Sequence, residues 1–397
     1  MTQTADLLAH SDCLMPVTPR PAQVFVRGEG AWLWDDRNRR NLDWLQGWAV
    51  NSLGHCHPVV TQALMDQSQR LLTPSPALFN APALELAGLL CRLSGFDQVV
   101  FGSTGAEANE VALKLARKWG RLHKDGAHEV LGFHDGFHGR NLATMAASGK
   151  PGWDTLFLPR MPGFVKARLN DLESVEAAMS EHTVAILVEP IQGEAGVKPA
   201  DRAFLQGLRE LCDRHACLLI FDEVQTGCGR LGALFAFEHL GVAPDIVTLG
   251  KGLGSGVPLS AVLARRHCSV FEHGDHGGTH AGNPLMCAVG LAVLSHLSEP
   301  SFLARVRACG ERFKQGLVQL STDFGLGEVR GEGLLLALEL GCDRAAEVVQ
   351  ACQRQGLLVN APRPHALRFM PPLTLTDAEL DEGLSLLRGA LQEVVDA

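Results

Sequence analysis

Hydrophobic and polar positions change rhythm along the chain. Near the start they alternate: Val24 and Val26, then Trp32 and Trp34, flank the turn Gly28-Glu29-Gly30, and Leu42-Asp43-Trp44 follows Asp35-Asp36-Arg37-Asn38. Alternation broken by turn residues predicts a short antiparallel meander. From residue 60 on, compact apolar runs are separated by helical stretches: QVVF (98–101), EVLGF (129–133), VAILV (184–188), CLLIF (217–221), DIVTL (245–249) and SAVLA (260–264). Runs of this kind suit strands covered on both faces by helices, so an α/β fold with a large mixed, mostly parallel sheet is expected. Ligands in such folds bind beyond the strands' C-terminal ends. Around residue 283 a helix is predicted, with Asn283 as cap, Pro284 in the first turn, and Leu285, Val289 and Ala292 on one face. It leads to a smaller unit with strand-like GLLLALEL (333–340), GLLVN (356–360) and ALRFM (366–370), and a terminal helix over 376–394.

Composition narrows the chemistry. The 397 residues include no tyrosine, so no phenol can act as acid, base or stacking ring. A formal charge of −9 has the wrong sign for a general phosphate-backbone binder. The 11 cysteines are scattered with no C-x-x-C, and Cys217 and Cys287 read as small buried hydrophobes of a reducing compartment. MTQTADLLAH lacks the basic flank and apolar core of an export signal, and no apolar run reaches the ~18 residues of a membrane span. A cytoplasmic protein with neither a membrane nor a nucleic-acid partner is expected.

Three segments carry candidate chemistry. FGSTGAEANEVALKLARKWG (101–120) reads as strand end, small-residue turn and helix, with Thr104 and Glu107 in capping-box spacing and Gly120 able to end the helix. Its first turn is either an anion site or an ordinary capped start. In CLLIFDEVQTG (217–227), Asp222 and Glu223 stand at a strand end, where an acid can hold a cationic ring nitrogen, a sugar hydroxyl or a metal, or merely cap the next turn. Lys251 follows the run DIVTL and is enclosed by Gly250 and Gly252; Lys114, Lys118 and Lys124, on or just after the first helix, read as solvated charges. A desolvated lysine at a strand end can attack a carbonyl to form a Schiff base. A nucleotide P-loop is excluded, because Gly252 stands where Ser or Thr is required and Asp245 where the first glycine belongs.

A phosphate site, a strand-end acid and a strand-end lysine together match what pyridoxal 5'-phosphate (PLP) needs. With these motifs, and with FVRGEGAWLWDD (25–36), AVNSLGHCHP (49–58), FHGR (137–140), VEPIQGEAGV (188–197), TLGKGLGSGVP (248–258), GNPL (282–285) and LRFMPPL (367–373), the chain resembles a class III, fold type I aminotransferase over nearly its whole length. The resemblance implies an N-terminal segment (1–58) packing with a C-terminal small domain (299–397), around a large PLP-binding domain (59–298). It implies that Lys251 binds the cofactor aldehyde and later moves a proton, and that Asp222 pairs with the ring nitrogen. It further implies that Gln225 contacts the ring hydroxyl, Phe137 stacks on the ring, and Gly105, Ala106 and Thr104 hold the phosphate. Thr279 matches a threonine reaching the phosphate of the neighbouring subunit, hence a homodimer with shared sites. Arg140 matches a residue binding the donor's carboxylate and Arg368 one binding the α-carboxylate of 2-oxoglutarate or glutamate, with Glu194 a movable cover over Arg368. Structural ion pairs are the alternative for both arginines.

The reaction implied is transfer of the ω-amino group of N2-acetyl-L-ornithine to 2-oxoglutarate. Rival donors are ornithine, succinylornithine, 4-aminobutyrate and other diamines; a PLP lyase or epimerase, or a non-catalytic binding protein, is more remote. The Glu194/Arg368 pair favours a transaminase, which must accept a second, dicarboxylate substrate. Three places depart from the family pattern: Thr18 where a tyrosine is common, Gly278 where a serine contacts the donor, and His280-Ala281 in place of an aromatic-Gly pair. The histidines at 55, 57, 134, 138, 273, 276 and 280 form no complete ligand set, and no metal is expected.

Overall fold

The computed structural model describes residues 7–395 of the chain. Its centre is a seven-stranded sheet in the order Gln98–Gly102, Ser260–Ala264, Ile246–Leu249, Leu218–Asp222, Thr183–Val188, Glu129–Phe133, Phe164–Ala167. Ser260–Ala264 runs antiparallel to both its neighbours, and every other pairing is parallel. All six apolar runs are therefore strands of one sheet. Their near-continuous hydrophobicity has a direct cause, since successive residues go to opposite faces and both faces are covered. Ile220 packs with Val184, Ile246 and the Ala108, Val111, Ala112 and Leu115 face of helix Gly105–His123. Leu219, Phe221, Val247 and Leu249 pack on the other side with Phe204, Leu205 and Leu208 of helix Arg202–Arg214.

The seventh strand, Phe164–Ala167, has no counterpart among the expected runs. It lies at the sheet edge, partly exposed, and Lys166 interrupts its apolar pattern. Helix Gly105–His123 also runs past Gly120. That glycine does not end the helix; a Cβ there would overlap the Ala127 carbonyl and fall 2.6 Å from Val184, so the residue permits close packing on the sheet.

The meander forms as expected, with Phe25–Glu29, Trp32–Asp35 and Arg40–Asp43 antiparallel. Leu357–Leu358 then joins Arg40–Asp43 in parallel, so the two ends of the chain share one sheet. A third sheet contains Val329–Glu332, Leu335–Glu339, Ala366–Phe369 and Asn360–Arg363, all antiparallel. Its first strand, VRGE, is too polar and too short to stand out in the sequence. Buried Trp44 links these parts, its ring 4.6 Å from Phe313 and 5.9 Å from Phe369 between centroids. The long helices Pro284–Leu297, capped by Asn283 accepting from Met286 N–H, and Asp377–Val395 occupy the predicted spans. All eleven cysteines are free, and Cys217 and Cys287 are buried. Among the described residues no single helix is long and apolar enough to cross a membrane.

Candidate active site

The C-terminal ends of the strands finishing at Asp222 and Leu249 and the start of helix Gly105–His123 meet around a cavity of about 410 Å³. Helix entry is set by a complete capping box: Thr104 Oγ1 accepts from Glu107 N–H at 3.2 Å, and the Glu107 carboxylate accepts from the Ser103 and Thr104 amides. The next amides, of Gly105 and Ala106, have no intrahelical carbonyl to bond and lie at the positive end of the helix dipole, facing the cavity. Glycine is required at 105, because a Cβ there would come 2.5 Å from Val224 Cγ1.

Asp222 and Glu223 have parted company. Asp222 is buried and lines the cavity, where its carboxylate accepts from His138 Nδ1 at 2.7 Å, Asn109 Nδ2 at 2.7 Å and Val224 N–H at 3.0 Å. Thr248 Oγ1 stands 3.4 Å from Asp222 and donates to Asn109 Oδ1 at 2.8 Å. Burial raises the Asp222 carboxyl, but the hydrogen bond and charge of His138 outweigh it, so the group stays below its ordinary value and ionised. Glu223, one residue on, points away and accepts from the Ala236 and Phe237 amides at 2.6 and 2.8 Å. Burial pushes it up to about 8. Capping is thus the role of Glu223, and the cavity acid is Asp222.

Lys251 lines the same cavity with a backbone φ of +40°, a strained value for a residue with a Cβ. Burial pulls its amine below the ordinary lysine value, although Asp222 and Glu194 oppose this. The other early lysines are less solvated than expected. Lys118 pairs with Asp275 and Glu272, and Lys124 donates to the Thr183 and His215 carbonyls. Phe137, Arg140, Gln225, Glu189 and Glu194 complete the cavity wall. Phe137 N–H donates to Glu189 at 2.8 Å, and its ring meets Trp153 edge-on at 5.6 Å. Exposed Arg140 sits with Cζ 5.5 Å from the Trp153 ring centroid. Burial and the nearby Asp222 charge hold the Glu189 carboxyl well above the usual range, favouring its protonated form.

Behind Glu194 stands Arg368, 0% exposed on strand Ala366–Phe369. Its Nη2 lies 2.7 Å from Glu194 Oε1 and its Nε donates to Asn360 Oδ1 at 3.0 Å, while Nη1 has no protein partner. A buried guanidinium with a free edge and one partly exposed counter-ion is built to receive a second carboxylate. Burial raises Glu194, but the charge and hydrogen bond of Arg368 more than compensate and keep it ionised.

The model of the Aminotransferase class-III family matches residues 16–391. The chain belongs to the class III aminotransferases. Acetylornithine aminotransferase 2 of Bordetella bronchiseptica is 53% identical, with 96% of this chain and 98% of that protein covered. Acetylornithine aminotransferase of Ralstonia nicotianae is also 53% identical, covering 96% and 97%. Among solved structures, ornithine aminotransferase from Toxoplasma gondii ME49 superposes with a TM-score of 0.94 at 34% identity, covering 100% of this chain and 96% of that one. N-acetylornithine aminotransferase from Stenotrophomonas maltophilia K279a gives 0.85 at 35%, covering 98% and 99%.

The aminotransferase thus brings Thr104, Gly105, Ala106, Phe137, Arg140, Glu194, Asp222, Gln225 and Lys251 to one cavity, with Arg368 behind Glu194. Gly278, Thr279 and His280 are exposed and, like Thr18, are absent from its wall in the single chain. Asn109, His138 and Thr248 surround Asp222, and Glu189 lines the cavity; the sequence alone gives none of the four a place in the site. His138, one of the histidines that form no ligand set, instead turns its ring to Asp222. His55 similarly meets Asp43 at 2.8 Å, and His57 caps its helix through Val59 N–H.

Proposed function

We propose that this aminotransferase uses PLP to move the ω-amino group of N2-acetyl-L-ornithine to 2-oxoglutarate, giving N-acetyl-L-glutamate 5-semialdehyde and L-glutamate, a step of arginine biosynthesis. The carrying observation is the Arg368–Glu194 pair: two unlike substrates must use one site in turn, and a counter-ion that can leave lets one guanidinium serve both. The donor assignment is supported by the names of the Bordetella and Ralstonia relatives.

The cavity residues fit PLP. The Gly105 and Ala106 amides and the Thr104 hydroxyl suit its phosphate, ionised Asp222 suits a protonated ring nitrogen, Gln225 the ring hydroxyl and Phe137 a ring face. When bound, PLP supplies an electron sink for the charge left at the substrate carbon after deprotonation. With the cofactor and substrate in place, Lys251, its pKa lowered by burial, would be the base that takes the proton from the substrate carbon. Asp222 keeps its charge throughout because His138 and Asn109 hold it. Arg140 receives the donor's carboxylate while Glu194 covers Arg368; Glu194 turns outward when the dicarboxylate arrives. A cytoplasmic homodimer is part of the same proposal, with Thr279 of a second copy completing the phosphate site. It is supported by the exposure of Thr279 away from its own chain's cavity.

A second reading, ornithine as donor, is favoured by the close superposition on the Toxoplasma ornithine aminotransferase. Mixing the PLP form with a donor panel and following conversion to the pyridoxamine form separates them. N-Acetylornithine is expected to react at least about tenfold faster than ornithine or 4-aminobutyrate, a gap of about 1.4 kcal/mol in transition-state binding. Equal rates would overturn the donor assignment.

A further inference from the structure

Glu194 rides on a loop with two anchors. At the base, Ile191–Gln192 pairs antiparallel with Lys198–Pro199. At the tip, Arg330 of strand Val329–Glu332 donates from Nε and Nη2 to the Gly196 carbonyl at 3.2 and 3.1 Å. Glu339 neutralises the same guanidinium at 2.7 Å, and Glu328 lies 3.8 Å away. Gly196 ends the single turn Gly193–Ala195 that carries Glu194, and has a φ of +93°; a Cβ there would stand 3.3 Å from Arg330 Nη2. A cavity of about 720 Å³, lined by Gln192, Lys198, Pro199, Arg330 and Gly331 among others, lies beside the loop. With open space beside the loop, the Arg330 clasp restrains its tip.

We infer that Arg330 is a positioning residue for Glu194: by holding the Gly196 carbonyl it biases the Glu194 carboxylate toward Arg368, and so sets how readily a dicarboxylate displaces it. The inference rests on the roles proposed for Glu194 and Arg368. Releasing the clasp lets Glu194 leave more easily, which opens Arg368 to dicarboxylates and exposes an uncovered cation to the donor. The two half-reactions then shift in opposite directions, which a purely structural role does not produce.

Glutarate, a dicarboxylate without a reactive carbonyl, tests this by calorimetry on the PLP-loaded protein. Arg330→Met is expected to tighten glutarate binding about three- to tenfold, the range expected when part of a lost charge-assisted hydrogen bond distinguishes two loop positions. The KM for N-acetylornithine should rise by a similar factor, and Arg330→Lys should fall between variant and parent. Unchanged or weaker glutarate binding in Arg330→Met overturns the inference. Should that variant fail to fold, Arg330→Lys decides by the same criterion. Arg368→Ala is the control for the site itself: if it leaves glutarate binding intact, the reading of Arg368 fails, and the failure is not one of Arg330.

Discussion

Replacing Arg368 by alanine separates the two substrates. At 2.7 Å and an effective dielectric near 20, its attraction for Glu194 is about 6 kcal/mol before desolvation is subtracted. Removing one member of a fully buried pair costs about 3–5 kcal/mol. The Glu194 side chain is 31% exposed and can turn to water, which reduces the stability loss to about 1–3 kcal/mol. A dicarboxylate docked on Arg368 has no such escape. It forfeits two charge-assisted hydrogen bonds, worth about 3–4 kcal/mol together, or a weakening of about 10²- to 10³-fold. The ω-amine donor meets Arg368 only in its covered state, so its half-reaction should change less than about tenfold. Stopped-flow measurement of each half-reaction, with 2-oxoglutarate and with N-acetylornithine varied separately, reads both numbers. Equal losses for the two substrates would refute the exchange of carboxylates on one guanidinium.

Gly105→Ala places a methyl 2.5 Å from Val224 Cγ1 at the helix start and should weaken cofactor retention, read as PLP absorbance after dialysis; Val224→Ala in the same chain should restore it. Lys166, half-buried beside the Ala146 and Ala147 carbonyls, is pulled down to about 7 by desolvation, with Arg160 acting in the same sense. Between that value and the ordinary 10.5 the unfolded chain binds more protons, so this group makes stability rise with pH across that window. Urea unfolding of Lys166→Met should lose that part of the pH slope, and an unchanged slope would contradict the burial argument. Gly383→Ala drives a methyl into the buried Trp44 indole and should cost about 1–3 kcal/mol by the same unfolding measurement.

The parts of the fold legible in the sequence were those whose local pattern has one physical cause. Central strands read as apolar runs because neither face meets water, whereas Phe164–Ala167 at the edge and Val329–Glu332 in the third sheet are partly exposed and carry Lys166 and Arg330. The site divides along similar lines. Thr104, Asp222 and Lys251 were visible because each ends or begins an element with a recognisable signal, and a mostly parallel sheet gathers such ends on one edge. The groups that tune Asp222 carry no such signal: Asn109 is 113 residues away in sequence and His138 84. Neighbouring Asp222 and Glu223 could not be told apart by position alone. Strand alternation sends one to the cavity and the other to the Ala236 and Phe237 amides.

On the proposed reading, ring chemistry and carboxylate choice rest on different sheets. Asp222 ends one strand of the central sheet and Lys251 follows another, while Arg368, its partner Asn360 and the clasp residue Arg330 all lie on the third sheet. Arg368 is opposite Ala337 on one side and its hydrogen-bond partner Asn360 on the other in that sheet's register, and reaches Glu194 at the cavity wall. On that reading, substitutions on the third sheet would change substrate preference without disturbing the hydrogen bonds that keep Asp222 ionised. The donor side is different again: Arg140, proposed to receive the donor's carboxylate, sits at an exposed rim beside Trp153, and the chain has no tyrosine to line it. Thr18, Gly278 and His280 stand off from the cavity of their own chain, so a shared dimeric site is what would bring residues of this kind to the donor. On that proposal donor specificity would depend on assembly, whereas Arg368 and Glu194, the pair proposed to receive the α-carboxylate of the dicarboxylate, lie within one chain.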